Sequence, residues 1–150
     1  MDLTEMALFL VEAKKNTYAA QKGIAASSRK GSKDLAYRMG RFDYRDSYFG
    51  ESDFSGQEIV YLDEKPVWSM NYYGRMLTED VPEGFIEALR EALLRIEKEE
   101  PYRGCRNYMK NDFAYSCIPG GDISFFHGHE TIDCKGREIY RLYFHGGRIL

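Results

Sequence analysis

His127-Gly128-His129-Glu130 sets two imidazoles at alternate positions, which on a strand point to one side. With a third ligand such as His145 or Cys134 they have the chemistry of a zinc site. Spacing alone brings in no third ligand, and partly exposed histidines near turns are common, so the reading is no metal and no cofactor. Asp43, Asp46, Glu51, Asp53 and Glu58 form an acidic series. Paired carboxylates serve as general acid and base when their surroundings separate their pKa values. Arg45 falls between two of them, and surface charge with turn chemistry accounts for most of the series, leaving Asp46 and Glu58 as the members to test. Ser27-Ser28-Arg29-Lys30-Gly31-Ser32-Lys33 has the amides and cations to wrap an anion, but it departs from G-x-x-x-x-G-K-[ST] because serine follows Gly31. The plainer reading is a mobile basic loop from Ala19 to Ser32. Cys105, Cys117 and Cys134 have no motif marking a nucleophile and read as structural thiols.

The elements that must position these groups follow from periodicity. Asp2 as N-cap and Glu5 at the capping-box position predict a first helix over Leu3 to Lys15, with Met6, Phe9, Leu10 and Ala13 on its buried face. A second helix is expected from about Pro82 to about Lys98, burying Phe85, Leu89, Ala92, Leu93 and Ile96, with Pro101 as its stop. The remainder reads as strand and turn. Alternation runs through Phe42 to Tyr48, Val67 to Tyr73 and Ile139 to His145, and turns are expected at Asp63-Glu64-Lys65, Pro119 to Asp122 and Lys135-Gly136.

A self-similarity organises the strands. EIVYLDEKPVWSMNYYG (Glu58 to Gly74) and ETIDCKGREIYRLYFHG (Glu130 to Gly146) match at an offset of 72 residues. The pairs include Glu58/Glu130, Val60/Ile132, Trp68/Tyr140, Met70/Leu142, Tyr72/Phe144 and Gly74/Gly146. Alternating hairpins share apolar positions by default, but not the opening glutamate or the closing Gly-Arg-apolar-Leu. Further back, Leu35-Ala36-Tyr37 aligns with Phe113-Ala114-Tyr115, and Ser47-Tyr48-Phe49 with Ser124-Phe125-Phe126. The pattern places Trp68, Met70, Tyr72, Tyr140, Leu142 and Phe144 beneath the helices. Asn71, Tyr73, Arg141, Tyr143 and His145 go to the other face, where aromatic rings mix with hydrogen-bonding groups. The bland account of that face is ordinary solvent exposure, and the sharper one is a recognition surface.

Composition bounds the function. The chain has 150 residues and a formal charge of −3, with 43% hydrophobic and 15% aromatic residues. That is one globular domain with a real core, and its acidity argues against a phosphate-neutralising nucleic-acid binder. Three cysteines without a C-x-x-C suit a reducing compartment, so a cytoplasmic location is expected. The opening residues do not read as a signal peptide, and no apolar run approaches the roughly 20 residues of a membrane span.

The run Asp46 to Gly74, DSYFGESDFSGQEIVYLDEKPVWSMNYYG, resembles a family of prokaryotic domains of unknown function, family 5680. Ser28-Arg29 and Gly31 to Leu35 before it, and Phe144-His145-Gly146-Gly147 at the close, extend the resemblance over nearly the whole chain. Some relatives sit behind an XRE-type helix-turn-helix, which implies a sensing or interaction role in those proteins; the present sequence shows no such part. The resemblance carries over no catalytic residue.

The sequence therefore predicts a single α+β domain over 1–150 with half-repeats at about 3–77 and 83–150. Two helices would pack on a curved antiparallel sheet with pseudo-two-fold symmetry. The leading functional expectation is a non-catalytic domain that holds a small molecule or a protein partner on Asn71, Tyr73, Arg141, Tyr143 and His145, with no nucleic-acid or membrane partner. Two other readings stay open. One is a small hydrolase or lyase with His145 as general base and Asp46 or Glu58 as partner; the other is a structural or oligomerising module marked by a large exposed apolar patch.

Overall fold

The computed structural model describes residues 2–150. Helix α1 (Leu3–Lys15) begins as its capping chemistry dictates, since Asp2 Oδ1 accepts the Thr4 N–H at 2.8 Å. Strands β1 (Ile24–Ala25), β2 (Lys33–Met39), β3 (Phe42–Gly50), β4 (Asp53–Leu62) and β5 (Lys65–Met76) follow. Helix α2 (Phe85–Leu93) then precedes β6 (Asn107–Lys110), β7 (Phe113–Asp122), β8 (Phe125–Cys134) and β9 (Arg137–Arg148). All nine strands join one antiparallel sheet in the order β1-β2-β3-β4-β5-β9-β8-β7-β6. The class is α+β, as the alternating pattern requires.

Two hairpin series meet at β5 and β9, where Trp68 to Met76 pair with Arg148 to Tyr140. Their registers correspond. Val60 faces Trp68 and Ile132 faces Tyr140, each pairing followed at once by a register shift, after Val60 in β4 and after Ile132 in β8. The hairpin turns at Asp63-Glu64 and Lys135-Gly136 both place two successive residues at positive φ, the left-handed geometry that matches strand twist. The alignment further back does not survive. Tyr44 faces Val60 and Tyr115 faces Ile132, so β3 is the counterpart of β7, whereas Leu35-Ala36-Tyr37 lies on β2 and Ser124 lies in the β7–β8 turn.

The helices cover one face of the sheet. Phe9 of α1 stacks on Phe42 at 4.9 Å, and Phe85 of α2 meets Tyr140 edge-on at 5.4 Å. Trp68, Met70, Tyr72, Tyr140, Leu142 and Phe144 are all buried on this inner face. Trp68 stacks on Phe126 and donates its indole N–H to the Ile123 carbonyl at 2.9 Å. Helix α2 is shorter than its periodicity suggests. Its last carbonyls turn to tighter bonds, Arg95 N–H to Ala92 and Ile96 N–H to Leu93, and the Ala92 carbonyl also accepts from Cys105 N–H. Ile96 is thereby buried, and the charged run from Glu97 to Glu100 forms turns.

The basic loop is pinned. Ser28 and Ser32 hydroxyls donate to Asp34 at 2.6 Å each, Ser47 adds a third bond at 3.1 Å, and Arg29 donates to the Ser47 carbonyl at 3.3 Å. Burial works against the Asp34 charge, yet the hydroxyls outweigh it and hold its carboxyl below the usual range. Ser28 and Ser32 of the loop are thus spent on this internal carboxylate, while Arg29 goes to the Ser47 carbonyl and Lys33 to Glu51. No helix among the described residues is long and apolar enough to cross a membrane.

Candidate functional site

Asp46 and Glu58 face each other across β3 and β4, on the inner side of the sheet. Directly opposed side chains on an antiparallel pair have Cβ atoms about 5 Å apart, so two carboxyls share one buried wall. Lys14 reaches them from the last turn of α1, with Nζ 2.6 Å from Glu58 Oε2, and it also donates to the Tyr102 carbonyl. Lys14 follows Leu10 by four residues, which puts a cation on the apolar face of the helix. Tyr72 on β5 donates its hydroxyl to Asp46 Oδ1 at 2.7 Å. Gly56 makes that reach possible: the Tyr72 ring lies across β4, and a Cβ at Gly56 would collide with the hydroxyl.

A parallel cluster sits beside it. Arg103, in the loop after α2, clasps Glu130 through two bonds of 3.1 and 3.0 Å, while Tyr115 and Tyr140 donate to the same carboxylate at 2.5 and 2.9 Å. Burial pushes the Arg103 guanidinium down, but the charge of Glu130 outweighs it and fixes the cation. Glu58 and Glu130 thus share the 72-residue offset and the same solution, a carboxylate neutralised by a cation, from α1 in the first case and from the loop after α2 in the second. The first cluster differs in carrying a second acid. Cys117 faces Glu130 where Asp46 faces Glu58, and Phe144, without a hydroxyl, crosses Gly128 as Tyr72 crosses Gly56.

Around these groups opens a cavity of about 450 Å³ between the sheet and the two helices. Its polar end is Lys14, Tyr44, Asp46, Glu58 and Arg103; Phe54, Phe85, Leu89 and Tyr140 give apolar walls. Lys33, Glu51 and Ser52, all exposed, mark its mouth. Burial first, then the charge of Glu58, raises the Asp46 carboxyl to about 7, against the opposing bond from Tyr72 and the charges of Lys14 and Arg103. Burial likewise pushes the Lys14 ammonium down, with Glu58 opposing. Arg90 of α2 lines the same cavity with its Nε buried and without a hydrogen-bond partner, its guanidinium 5.8 Å from the Tyr18 ring.

The residues expected to bind lie on the other side of the sheet. Asn71 pairs with His145, Tyr73 with Tyr143 and Arg75 with Arg141 across the β5–β9 seam, so the set is contiguous. Asn71, Tyr73, Tyr143 and His145 line an outer depression of about 390 Å³ together with Arg29 and Phe49. Arg141 is committed to Glu138 and to the Tyr143 hydroxyl. The pairing of His145 with Asp46 or Glu58 does not form: the imidazole is exposed on the outer face while both carboxyls are buried on the inner one, and the sheet itself lies between. His127 sits opposite His145 on the outer face, but among the described residues no group of three or more metal-binding side chains comes together. Asp43, Glu51 and Asp53 are surface partners of Arg45, Lys33 and Arg75. The exposed apolar residues Ile24 and Met109 lie on opposite edge strands and Phe125 follows the β7–β8 turn, so they build no common patch. Cys117 is buried, and burial raises its thiol to about 12, which makes it inert.

Lys14, Tyr72, Arg90 and Arg103 are the site residues that sequence reasoning passes over. The 72-residue offset did carry a signal for the neighbours of Tyr72, since Phe54/Phe126 and Gly56/Gly128 repeat at it just ahead of the matched run.

The arrangement defines a class, an α+β domain with a charged cavity held between its helices and one face of a continuous sheet. A family profile described as Domain of unknown function (DUF5680) matches residues 46–149, and the chain belongs to that family. The match includes Asp46, Glu58, Tyr72, Arg103, Glu130 and Tyr140, while Lys14 lies outside it. No curated protein and no solved structure matches the chain.

Proposed function

We propose that the chain is a small-molecule-binding domain whose site is the cavity under the two helices. One observation carries this reading. Asp46 and Glu58 are buried, and Lys14 and Arg103 nearly so, around an open volume of about 450 Å³, although burying charge is costly and an apolar filling is often at least as stable. The three free thiols fit a cytoplasmic setting. The offset pairs, with their matched registers and glycine–aromatic crossings, support an origin by internal duplication. In prokaryotic relatives joined to an XRE-type helix-turn-helix, such a cavity would serve as the sensor.

The outer depression supports a second reading, binding of a small molecule or protein on Asn71, Tyr73, Arg141, Tyr143 and His145, because these residues are contiguous on the open face. Native mass spectrometry of the full chain purified from cells separates the two. A retained metabolite that disappears in Arg90→Gln and persists in Tyr73→Ala supports the inner cavity; the reverse pattern moves the site to the outer face, and retention in both removes both.

A further inference from the structure

The inner cavity holds two carboxyls in different states on one wall. Glu58 is neutralised by Lys14 at 2.6 Å, whereas Asp46 meets only a tyrosine hydroxyl, which occupies Oδ1 and leaves Oδ2 to carry a proton. Glu58 Oε2 is buried beside the Lys14 ammonium. Arg90 lines the same cavity with its Nε unpartnered, and Phe54, Phe85, Leu89 and Tyr140 supply aromatic and apolar walls. A ligand that satisfies these groups together carries an anion for Arg90, a flat apolar body, and a hydrogen acidic enough for a carboxylate base beside an oxygen that can accept a hydrogen bond.

We propose that this cavity is a proton-transfer site for small aromatic 2-oxo acids, with Glu58 as base, Asp46 as acid and Arg90 as the carboxylate anchor. The inference rests on the cavity being the ligand site. The Glu58 carboxylate takes a proton from the carbon beside the ketone; that C–H pair becomes the new C=C bond, the carbonyl π pair moves to oxygen, and oxygen takes the proton of Asp46. The enol leaves, and the proton on Glu58 passes to Asp46, directly or through water, which restores both groups. The reaction is an isomerisation, so no oxidant or other co-reactant enters. A neutral carboxylic acid that donates to a developing enolate, opposite a carboxylate base, is an established way to run such chemistry near neutral pH. The groups facing Asp46 favour this state. Burial and Glu58 on β4 keep its proton on up to about 7, while Tyr72 on β5, Lys14 on α1 and Arg103 after α2 oppose them.

Phenylpyruvate is the probe, with the full chain in D₂O. Exchange of its C3 hydrogens is read by NMR, and binding by thermal shift. The expected result is exchange about 100-fold or more above the protein-free rate, in line with general acid–base catalysis. Asp46→Asn should abolish that gain while leaving the thermal shift, and the rate of the intact protein should fall as pH rises through about 7, where Asp46 loses its proton. Glu58→Asp keeps the charge and the lysine partner but withdraws the base, and should cost tenfold or more in rate even though the fold is retained. A thermal shift without exchange overturns the proton-transfer role and leaves the binding site standing. Exchange that survives both substitutions places the chemistry elsewhere. Absence of both shift and exchange overturns the substrate class, whereas the binding reading answers separately to the retained metabolite.

Discussion

Asp46 makes the folded protein sensitive to pH in a direction opposite to most aspartates. An unfolded aspartate ionises near 4, whereas burial, followed by the charge of Glu58, raises this one to about 7. Below about pH 4 both states hold the proton; between the two values the unfolded chain releases it and the folded chain keeps it. Stability contributed by this residue is therefore full at low pH, is lost as pH rises through the window, and is constant above it, with a total of up to about 4 kcal/mol. Asp46→Asn should flatten this part of the profile, read as the difference between the two proteins in urea denaturation from pH 5 to 8. A difference that does not change over that range would show that Asp46 titrates normally. The face assignment is tested at the same scale. Trp68→Ala removes a fully buried ring stacked on Phe126 and should cost about 3–5 kcal/mol, whereas Tyr73, exposed at 49%, should tolerate alanine within about 0.5 kcal/mol in the same assay. Alternation alone separated these two residues, because strand geometry sends neighbours to opposite faces whatever the rest of the fold does. It could not find Arg103, which reaches Glu130 from a loop with no periodicity to read.

Elements succeed or fail as positioning devices through a few contacts. Helix α1 was legible from its cap and its apolar stripe, and its function in the fold is concentrated at Lys14, which ties its last turn to Glu58 on β4. Removing the ammonium strands a carboxylate in the core, so Lys14→Met should cost about 3–5 kcal/mol, while adding Glu58→Met should recover most of the loss. Equilibrium unfolding of the two singles and the double gives the coupling directly, and additive losses would mean that the two side chains do not act as a pair. Helix α2 was overestimated because helical periodicity continues through Ile96 while the backbone bonds do not: the turn that buries Ile96 uses the carbonyls a longer helix would need. On the strands, Gly56 is the element-level counterpart of Lys14. Gly56→Ala should displace the Tyr72 ring, at a cost of about 1–3 kcal/mol, and break the hydroxyl bond to Asp46. A crystal structure of the variant with Tyr72 unmoved would contradict this.

At the scale of the whole molecule, the question is whether two hairpin series make one cooperative body. Their seam is a full antiparallel pairing of β5 with β9, and side chains cross it in both directions. Trp68, from the first series, stacks on Phe126 and bonds the Ile123 carbonyl in the second; Tyr140, from the second, stacks on Phe54 in the first at 6.3 Å and meets Phe85 of α2. The offset in the sequence matched Trp68 with Tyr140 but did not show that each inserts into the opposite series, because that depends on strand order. A β5–β9 seam is one of several ways to join two such units. Gly146 shows how tightly this one is closed: it faces Met70 at the seam, and a Cβ there would strike the Ser69 carbonyl and the Phe126 ring. If the seam is part of a single core, the fluorescence of Trp68, the chain's one tryptophan, must report the same transition as backbone circular dichroism, with coincident midpoints in urea. Gly146→Val should then lower both midpoints together, by about 2 kcal/mol or more in unfolding free energy, since the strain falls on a surface that both series share. Separate midpoints in the native protein, or a Gly146→Val variant that shifts the tryptophan signal alone, would show that the halves fold as independent units, and the cavity, lined by Asp46 and Glu58 of the first series and Tyr140 of the second, would then have no fixed shape.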